Sequence, residues 1–499
     1  MSDSMIFEHS ADNERKTISG EGDVPPTVGG HVVVLGAGPA GVGAAYQLVR
    51  NGHAPVTVLE LRDAIGGIAG SFEFDGIYCD FGSHRLHPVV PAEIMRDLQS
   101  LLGKNLLYRE RHGRILLRGR WIHFPLKPLD LLFRLPKTFA LGVLADMARK
   151  PLSRGNSEPT TYATVLERSL GRTICREFYF PYARKLWGVD PEELAVTAAQ
   201  KRVSGSSVGK IIRKIAAQIP GRKPKGSGRF YYPRHGFGQI SQCLYEAARQ
   251  AGADFKFGVQ FKAVEHEGGR VKAVRYKAGG EEFVIPTRTV WSTIPMNLLL
   301  QGMDPEPPRD VLEAAAAISF RGMILIYLQL DQDRFSNYDA HYFPEESIPI
   351  SRLSEPKNFV SSSEPRGRTV LCAELPSDPG RPEWEMSDRE LGRHVCDWMG
   401  EAGLPKPAAV LKVITRRLSH AYPLYLRNYE EHFRSMDQWL GGIEGLLTFG
   451  RQGLFAHDNT HHALAMAYAA ASCLSSEGKF DSARWADYRK EFEAHIVED

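Results

Sequence analysis

Three glycines near the start of the chain have the spacing of a phosphate-binding turn. Gly36, Gly38 and Gly41 form the pattern G-x-G-x-x-G directly after an apolar run at residues 31–35. In such a turn the first glycine permits the tight bend, and the second lets the backbone approach a pyrophosphate. The third allows a helix to pack closely on a strand. The pattern therefore predicts a dinucleotide-binding turn, the alternative being a purely structural turn.

The elements around these glycines fit that prediction. Residues 31–35 read as a strand, the apolar spacing after Gly41 as a helix, and residues 56–59 as a second strand. Glu60 ends the second strand about 20 residues after the glycines, where a carboxylate accepts hydrogen bonds from a ribose diol. Its negative charge disfavours the 2′-phosphate of NADP.

Six further segments carry residue types suited to binding or catalysis. A second glycine pair, Gly66 and Gly67, lies in AIGGIAGS, which begins at residue 64. The remaining segments are CDFGSHRLHP (79–88), PYARKLWG (181–188), RLSEPKNF (352–359), AYPLY (421–425) and GRQG (450–453). Taken together, these motifs resemble those of flavoproteins related to monoamine oxidase, protoporphyrinogen oxidase and UDP-galactopyranose mutase. The resemblance extends from residue 31 to residue 473 and is carried by motifs between long unmatched stretches.

The resemblance implies FAD as the cofactor. No cysteine lies in the usual flavin-attachment context near the end of the chain, so FAD is expected to be non-covalent. Arg451 is the expected phosphate partner, because a guanidinium can bind two oxygens at once. The implied cofactor-binding residues are Gly36, Gly38, Pro39, Ala40, Gly41, Glu60, Leu61, Gly66, Gly67, Gly82, Ser83, His84, Phe261, Gly450, Arg451 and His461.

The same resemblance implies a set of residues on the substrate side of the flavin. Each has a plainer alternative: a hydrogen-bonded imidazole for the histidines, core packing for the tryptophan and tyrosine, and a salt bridge for the arginine. Arg202 lies near a mutase arginine that approaches substrate phosphate, although the spacing differs by about one residue. The implied catalytic residues are His84, Lys185, Trp187, Arg352, Tyr422 and His461.

A group of histidines departs from the family pattern after the GRQG segment. Relatives usually carry an aromatic residue and an aspartate there, whereas this chain has His457, Asp458, Asn459, His461 and His462. These histidines could supply a general acid or base with a pKa near the working pH, or equally a polar helix cap. No metal is expected, because nothing elsewhere in the sequence completes a ligand set.

The fold class expected is α/β, with a Rossmann-type FAD-binding domain and an inserted α+β substrate domain. The FAD-binding domain is discontinuous, and the chain divides into a flexible tail (1–30), FAD-binding segments (31–90, 230–300 and 440–490), a mainly helical cap (91–229) and a substrate-domain sheet with helices (301–439). A length of 499 residues suits two packed domains.

The amino-acid composition bears on which binding partners and which cellular location are expected. The 62 Lys plus Arg against 59 Asp plus Glu give a formal charge of only +3, which argues against a nucleic-acid binder. The six cysteines show neither disulfide nor zinc spacing and favour a cytoplasmic location. No run is long and apolar enough to span a bilayer; residues 129–147 come closest, with peripheral membrane contact as a minority interpretation. The sequence gives no signal for an oligomeric state.

One long stretch of the chain is basic and free of acidic residues. No Asp or Glu occurs from residue 195 to residue 245, and the segment GRKPKGSG (221–228) has loop composition. A solvated charged face is the usual explanation, but an anionic substrate or an acidic membrane surface is also favoured. The cations of the stretch are Lys201, Arg202, Lys210, Arg213, Lys214, Arg222, Lys223, Lys225, Arg229 and Arg234.

The sequence leaves two functions open. The first is an FAD-dependent oxidoreductase that transfers hydride from a small organic substrate to flavin N5. The alternative is a non-redox isomerase resembling UDP-galactopyranose mutase, which uses reduced flavin on a nucleotide sugar. The oxidoreductase leads because its class is broader. A flavin-binding protein without turnover has no specific support.

Overall fold

The computed structural model describes residues 30–53, 55–124, 134–149, 160–203 and 228–497. The predicted tail before residue 30 lies outside these ranges, as do the predicted loop at 221–227 and the cations between residues 204 and 227. In the described chain, no helix combines the length and apolar character needed to cross a bilayer.

The strands alternate with helices along most of the chain. They are β1 (Val32–Leu35), β2 (Val56–Leu59), β3 (Ser71–Phe74), β4 (Ile77–Asp80), β5 (Leu106–Glu110), β6 (Gly113–Leu117), β7 (Arg120–Phe124), β8 (Arg229–Pro233), β9 (Asp254–Lys256), β10 (Gln260–Glu267), β11 (Arg270–Ala278), β12 (Glu281–Pro286), β13 (Thr289–Ser292), β14 (Met303–Asp304), β15 (Ser319–Leu330), β16 (Ala340–Tyr342), β17 (Arg352–Ser354), β18 (Thr369–Leu375), β19 (Val410–Leu424) and β20 (Leu446–Thr448).

The helices complete the layers. They span Pro39–Arg50, Ala92–Leu102, Lys137–Arg149, Tyr162–Leu170, Arg172–Ile174, Phe180–Trp187, Val196–Val203, Gln239–Gln250, Met296–Gln301, Arg309–Ala317, Pro356–Val360, Pro382–Glu385, Asp388–Glu401, Tyr429–Gly441, Gly450–Gly453, Thr460–Ser472 and Ser482–Glu493. Short 3-10 turns lie at Gly67–Ala69 and Gly103–Asn105, and one π turn at Cys175–Tyr179.

A parallel sheet holds the first glycine turn. Among the described strands its order is β20-β13-β1-β2-β9, and every neighbouring pair is parallel. The strand β1 is fully buried because helices cover both faces of such a sheet, which explains its unbroken valine run. The expected α/β fold with a Rossmann-type start is confirmed.

A second sheet contains the strands predicted for the substrate domain. In the described residues it has the order β19-β15-β18-β17-β16-β6-β7, antiparallel except for β16 with β6. The twelve-residue strand β15 is buried from Arg321 to Leu330 and pairs with both β19 and β18.

One expectation about the secondary structure is wrong. The prediction of mainly helical structure after residue 91 fails at residues 106–124, where three strands occur. Arg118 and Gly119 have φ values of 52° and 68° and turn β6 into β7, a hairpin signal that a helical interpretation overlooked.

The strands of the predicted FAD-binding segment 230–300 divide between two sheets. The strands β9 and β13 join the parallel sheet, whereas β10 and β11 pair with β12 and β14 in a separate sheet.

The helix Thr460–Ser472, which follows the GRQG segment, packs directly on the first helix, Pro39–Arg50. A Cβ on Gly43 would lie 2.9 Å from Leu464 and 3.3 Å from Ala467, so the two helices touch at Gly43. This contact brings the GRQG segment back to the glycine turn.

Candidate active site

The first glycine turn forms a tight cradle with one open side. Gly36 has a φ of 94°, which only glycine adopts without strain. A Cβ on Gly41 would lie 1.9 Å from the Gly36 carbonyl oxygen, so no other residue fits there. A Cβ on Gly38 would meet nothing within 4 Å. The backbone is therefore open to a ligand at Gly38, where Pro39 and Ala40 begin the helix.

Glu60 lies beside this cradle with its carboxylate fixed. One oxygen accepts a 2.7 Å hydrogen bond from the Ala37 N–H, and the other accepts a 2.9 Å hydrogen bond from the Arg62 N–H. The Val259 N–H donates to the Glu60 carbonyl at 3.0 Å. Leu61 is 68% exposed at the same edge. The arrangement holds an acidic group where a ribose diol would approach.

Two distant glycine motifs meet the cradle. The Gly66 N–H donates to the Ala37 carbonyl at 2.8 Å, and a Cβ on Gly67 would lie 3.2 Å from the Gly38 Cα. A Cβ on Gly450 would lie 2.8 Å from the Cβ of Ala40. Three separate parts of the chain thus surround one helix N-terminus, whose unpaired N–H groups favour an anion.

Arg451 directs two of its five N–H donors to the backbone. Its Nη1 donates to the Asp458 carbonyl at 2.8 Å and its Nη2 to the Ala421 carbonyl at 3.0 Å. The guanidinium also lies 5.1 Å from the centre of the Tyr422 ring. Its Nε is buried and has no hydrogen-bond partner among the described residues. A phosphate contact therefore stays a prediction, with Nε among the donors still available.

The segment predicted to face the flavin ring is tightly held. The His84 Nε2–H points at two carbonyls, those of Ile68 and Phe81, each at 3.0 Å. Burial lowers the pKa of His84, so the ring is neutral and presents its Nδ1 lone pair. Gly82 has a φ of 93°, and the Ser83 N–H donates to Glu374 at 2.8 Å.

Arg352 is salt-bridged, which is the plainer of its two interpretations. Its Nε and Nη2 each donate to a different oxygen of Glu374 at 2.8 Å, a bidentate pair that is largely buried. Because Glu374 also accepts the Ser83 N–H, the pair links β17 and β18 of the substrate sheet to the predicted flavin-ring segment. Arg352 therefore acts on that segment through Glu374.

Trp187 and Tyr422 do lie together, in a stack of rings. The centre of the buried Trp187 ring is 4.9 Å from that of His457, and the two planes differ by 15°. Tyr425 stacks on the other face of His457 at 4.2 Å, and Tyr429 stacks on Tyr425 at 4.3 Å. Tyr422 meets Trp187 edge-on at 5.7 Å. The stack forms a rigid aromatic wall.

Arg202 brings a positive charge to this wall. Its guanidinium carbon lies 4.8 Å from the Trp187 ring centre and 5.5 Å from that of Tyr422, and its Nε donates to His457 Nδ1 at 3.4 Å. The His457 Nε2–H donates to the Pro423 carbonyl at 2.5 Å. Burial, together with Arg202 and Arg451, holds the pKa of His457 well below its usual value. His457 is thus a neutral member of a cationic surface.

Lys185 lies apart from the ring stack. Its Nζ donates to the Phe343 carbonyl at 2.5 Å and to the Ile350 carbonyl at 3.3 Å. Burial lowers the pKa of this lysine to about 7. It lines a cavity of about 310 Å³, whose lining among the described residues includes none of the other predicted catalytic side chains. Its predicted catalytic role has no supporting contact.

His461 has a strongly lowered pKa, whereas His462 takes part in a helix cap. The pKa of His461 is lowered to about 3 by burial and by the nearby His462 and His87, so it is no acid or base near neutral pH. His462 Nδ1 accepts a 3.2 Å hydrogen bond from the Asn459 N–H in a capping box. The lowered pKa disfavours a working-pH titration of His461, whose catalytic role stays a prediction, while the helix-cap interpretation fits His462.

Phe261 packs against the chain's own backbone. A Cβ on Gly302 would lie 2.5 Å from its ring, so the ring covers that glycine. Its predicted cofactor contact stays a prediction.

Comparison with known proteins decides the family. The family described as flavin containing amine oxidoreductase matches residues 39–443, which is most of the chain. The chain belongs to the flavin-containing amine oxidoreductase family. The resemblance inferred from its motifs is confirmed.

The individual relatives are described with different activities. The chain is 26% identical over 316 residues to a phytoene dehydrogenase of Streptomyces griseus, which covers 58% of this chain and 59% of the relative. It is 26% identical over 180 residues to a probable UDP-galactopyranose mutase of Klebsiella pneumoniae, covering 34% and 44%. These matches span less than two thirds of either relative's length.

A solved structure agrees in fold. Reduced UDP-galactopyranose mutase superposes with a TM-score of 0.76 at 21% identity, covering 89% of this chain and 93% of that one. At this identity the likeness shows the fold alone.

The cradle fits the flavin cofactor of this family. The open backbone at Gly38, the fixed Glu60 and the converging Gly67 and Gly450 are what a flavin dinucleotide requires. A bound flavin supplies hydride and electron transfer. This chain's own residues would orient it and cover its ring from the Gly82–His84 side.

Two residues of the candidate site were not selected from the sequence as catalytic or cofactor-binding. His457 and Glu374 join the wall and the flavin-ring segment only through contacts between distant parts of the chain. His457 is in the histidine group that departs from the family pattern, which was the available signal. Glu374 stands in an apolar strand, and a charge in a buried strand was the clue to a partner.

Proposed function

We propose that this family member binds FAD non-covalently and transfers hydride from a small organic substrate to flavin N5. The observation that carries the proposal is the meeting of three glycine motifs at the N-terminus of helix Pro39–Arg50. The family match, which extends through the substrate sheet, favours redox chemistry.

The charges near the aromatic wall favour a particular substrate class. Arg202 lies against Trp187 and Tyr422, and Arg451 lies against Tyr422 from another direction. Two guanidinium groups repel a protonated amine and attract a carboxylate or phosphate. The proposal therefore takes an anionic or neutral substrate rather than a cationic amine.

Each residue of the wall has a role in that scheme. Trp187 and Tyr422 exclude water and orient an apolar part of the substrate, because both rings are fixed by their neighbours. Arg202 binds the anionic part. The neutral His84, through Nδ1, offers a lone pair that can accept a proton or a hydrogen bond near the flavin-ring segment.

A second candidate is a non-redox isomerase acting on a nucleotide sugar. The adjacency of Trp187, Arg202 and Tyr422 favours it, because a stacked base and a diphosphate need aromatic and cationic groups side by side. The fold likeness to reduced UDP-galactopyranose mutase is compatible with it.

An absorbance experiment separates the two candidates. Purified protein, kept anaerobic, is mixed in turn with carboxylate-bearing, polyprenoid, amine and nucleotide-sugar compounds. Bleaching of the flavin by a compound supports the oxidoreductase. Bleaching by dithionite alone, followed by interconversion of a nucleotide sugar without net electron transfer, supports the isomerase and overturns the leading proposal.

The cofactor and its attachment have their own test. Acid precipitation should release all the yellow colour into the supernatant, where chromatography identifies FAD. Colour retained in the pellet would contradict non-covalent binding. A cytoplasmic location stays a prediction from the sequence.

A further inference from the structure

A cluster of three ligand-type side chains lies behind the aromatic wall. Asp458 follows the GRQG segment, His462 is in the first turn of helix Thr460–Ser472, and His495 follows the last helix, Ser482–Glu493. The Asp458 Oδ1 is 3.5 Å from His462 Nδ1 and 3.6 Å from His495 Nδ1. One ligand atom from each residue lies within 4.8 Å of the others. Sequence reasoning missed this cluster because His495 is far away along the chain.

The carboxylate of Asp458 is buried beside the two imidazoles. Its side chain is 1% exposed, and neither oxygen has a hydrogen-bond partner among the described residues. Distances of 3.5 Å and 3.6 Å exceed those of an N–H to oxygen hydrogen bond. A buried carboxylate without such partners is costly unless a cation lies nearby.

The neighbouring nitrogens lie close to the carboxylate. His462 Nδ1 accepts the Asn459 N–H, so its single lone pair must leave that N–H to bind an ion. His495 Nδ1 is buried and has no hydrogen-bond partner in the described chain. Lys201 directs its ammonium to the carbonyls of Phe492 and Glu493 and not to Asp458. The charge of Asp458 is therefore balanced either by protonated His462 and His495 or by a bound cation.

We propose that Asp458, His462 and His495 bind a divalent transition-metal ion, with zinc the best match. One carboxylate and two imidazoles, with a water in the fourth position, are a ligand set that zinc accepts. Ligand atoms 2.0–2.1 Å from a tetrahedral ion lie about 3.3 Å apart, close to the two measured separations. The His462 and His495 rings are stacked with centres 4.1 Å apart and planes 14° apart, so they must tilt and close further to reach one ion.

The ion would fasten the end of the chain to the cofactor side of the fold. The Asp458 carbonyl accepts a hydrogen bond from Arg451, and the Val497 N–H donates to the Lys201 carbonyl at 2.8 Å, next to Arg202. Binding at Asp458 therefore connects the terminal segment to both arginines that surround Tyr422. The role is structural and needs no change in the flavin chemistry.

Metal titration of the full-length, tag-free protein tests this site. After chelator treatment and dialysis, zinc is titrated in competition with a chromophoric chelator, and cobalt is added separately to read the absorption typical of a tetrahedral ion. We expect one zinc per chain, and an affinity reduced about tenfold or more in Asp458→Asn and His495→Ala. The exposed His394 provides the control His394→Ala, which should bind zinc as the wild type does.

Each result of the metal titration either supports the zinc site or overturns it. Zinc bound once per chain and weakened by both substitutions, with flavin content and circular dichroism unchanged, supports the site. Absence of stoichiometric binding in the wild type overturns it. Equal binding in wild type, Asp458→Asn and His495→Ala also overturns it, because the ion then lies elsewhere. If Asp458→Asn fails to fold, His495→Ala decides alone, since His495 lies after the last helix.

Discussion

The two ends of the candidate site are built in different ways. At the glycine cradle, backbone geometry does the positioning: φ values, missing Cβ atoms and N–H groups at Gly36, Gly38 and Gly41. At the aromatic wall, side chains do it, through stacking of Trp187 on His457 and cation–π contacts of Arg202. The cradle can therefore be recognised in the sequence as a local pattern. The wall cannot, because its side chains come together only when distant parts of the chain fold.

The largest expected effect breaks the cradle. Gly41→Val places a side chain where even a Cβ would lie 1.9 Å from the Gly36 carbonyl, so the turn must open. We expect flavin content to fall by about a hundredfold or more, since backbone contacts to the pyrophosphate are lost. The ratio of flavin absorbance to protein absorbance measures it. Gly400→Ala is the matched control, because a Cβ there meets nothing within 4 Å.

The next prediction concerns the Arg352–Glu374 pair, which links the substrate sheet to the predicted flavin-ring segment between the cradle and the wall in chain order. Glu374→Gln removes the charge that holds Arg352 and weakens the acceptor of the Ser83 N–H. Leaving Arg352 buried without its partner should lower the free energy of unfolding by about 3–5 kcal/mol. Chemical denaturation measures it. A double variant, Glu374→Gln with Arg352→Met, should recover part of the loss. An unchanged free energy in the single variant would show that the pair is not a structural link.

A smaller effect is expected on KM, and it tests whether the aromatic wall binds substrate through Arg202. Arg202→Gln removes a charge beside Trp187 and should raise KM for an anionic substrate about 10–100-fold, with flavin content unchanged. Steady-state kinetics with the substrate found by flavin bleaching measures it. Arg202→Lys should fall between the two. An unchanged KM would exclude Arg202 from substrate binding.

The smallest expected effect is on the pH dependence of stability, and it tests whether Lys185 acts only as a buried structural residue. The pKa of Lys185 is about 7 in the folded chain and 10.5 as an ordinary lysine. Between pH 7 and pH 10.5 the lysine is therefore protonated in the unfolded chain and largely neutral in the folded chain. Stability contributed by this group therefore rises with pH across that window, by at most about 2 kcal/mol between pH 7 and pH 9. Lys185→Met should remove this part of the rise while leaving flavin reduction by substrate intact.

Denaturation at both pH values in wild type and Lys185→Met isolates the lysine, because other titrating groups are common to both proteins. A parallel pH dependence in the two would contradict the assignment. Loss of flavin reduction in Lys185→Met would instead restore its predicted catalytic role.

The sequence predicted the cradle better than the wall for a physical reason. Glycine spacing, the valine strand and Glu60 act within about 30 residues, so their pattern carries the geometry. Arg352 was correctly given a salt bridge as one alternative, but its partner Glu374 could not be read from the sequence. His461 was preferred to His457, although only the folded structure shows which imidazole enters the ring stack. The hairpin at residues 113–124 was missed because its turn, Arg118 and Gly119, resembles an ordinary charged loop.

The meeting of Gly450 with Ala40 has a consequence for folding. The cradle begins at β1 and is completed by a segment that directly follows β20. Contacts so distant in the chain form slowly, because a long loop must close before they gain anything. In refolding experiments we therefore expect flavin binding to follow, and not to precede, the pairing of β20 with the parallel sheet.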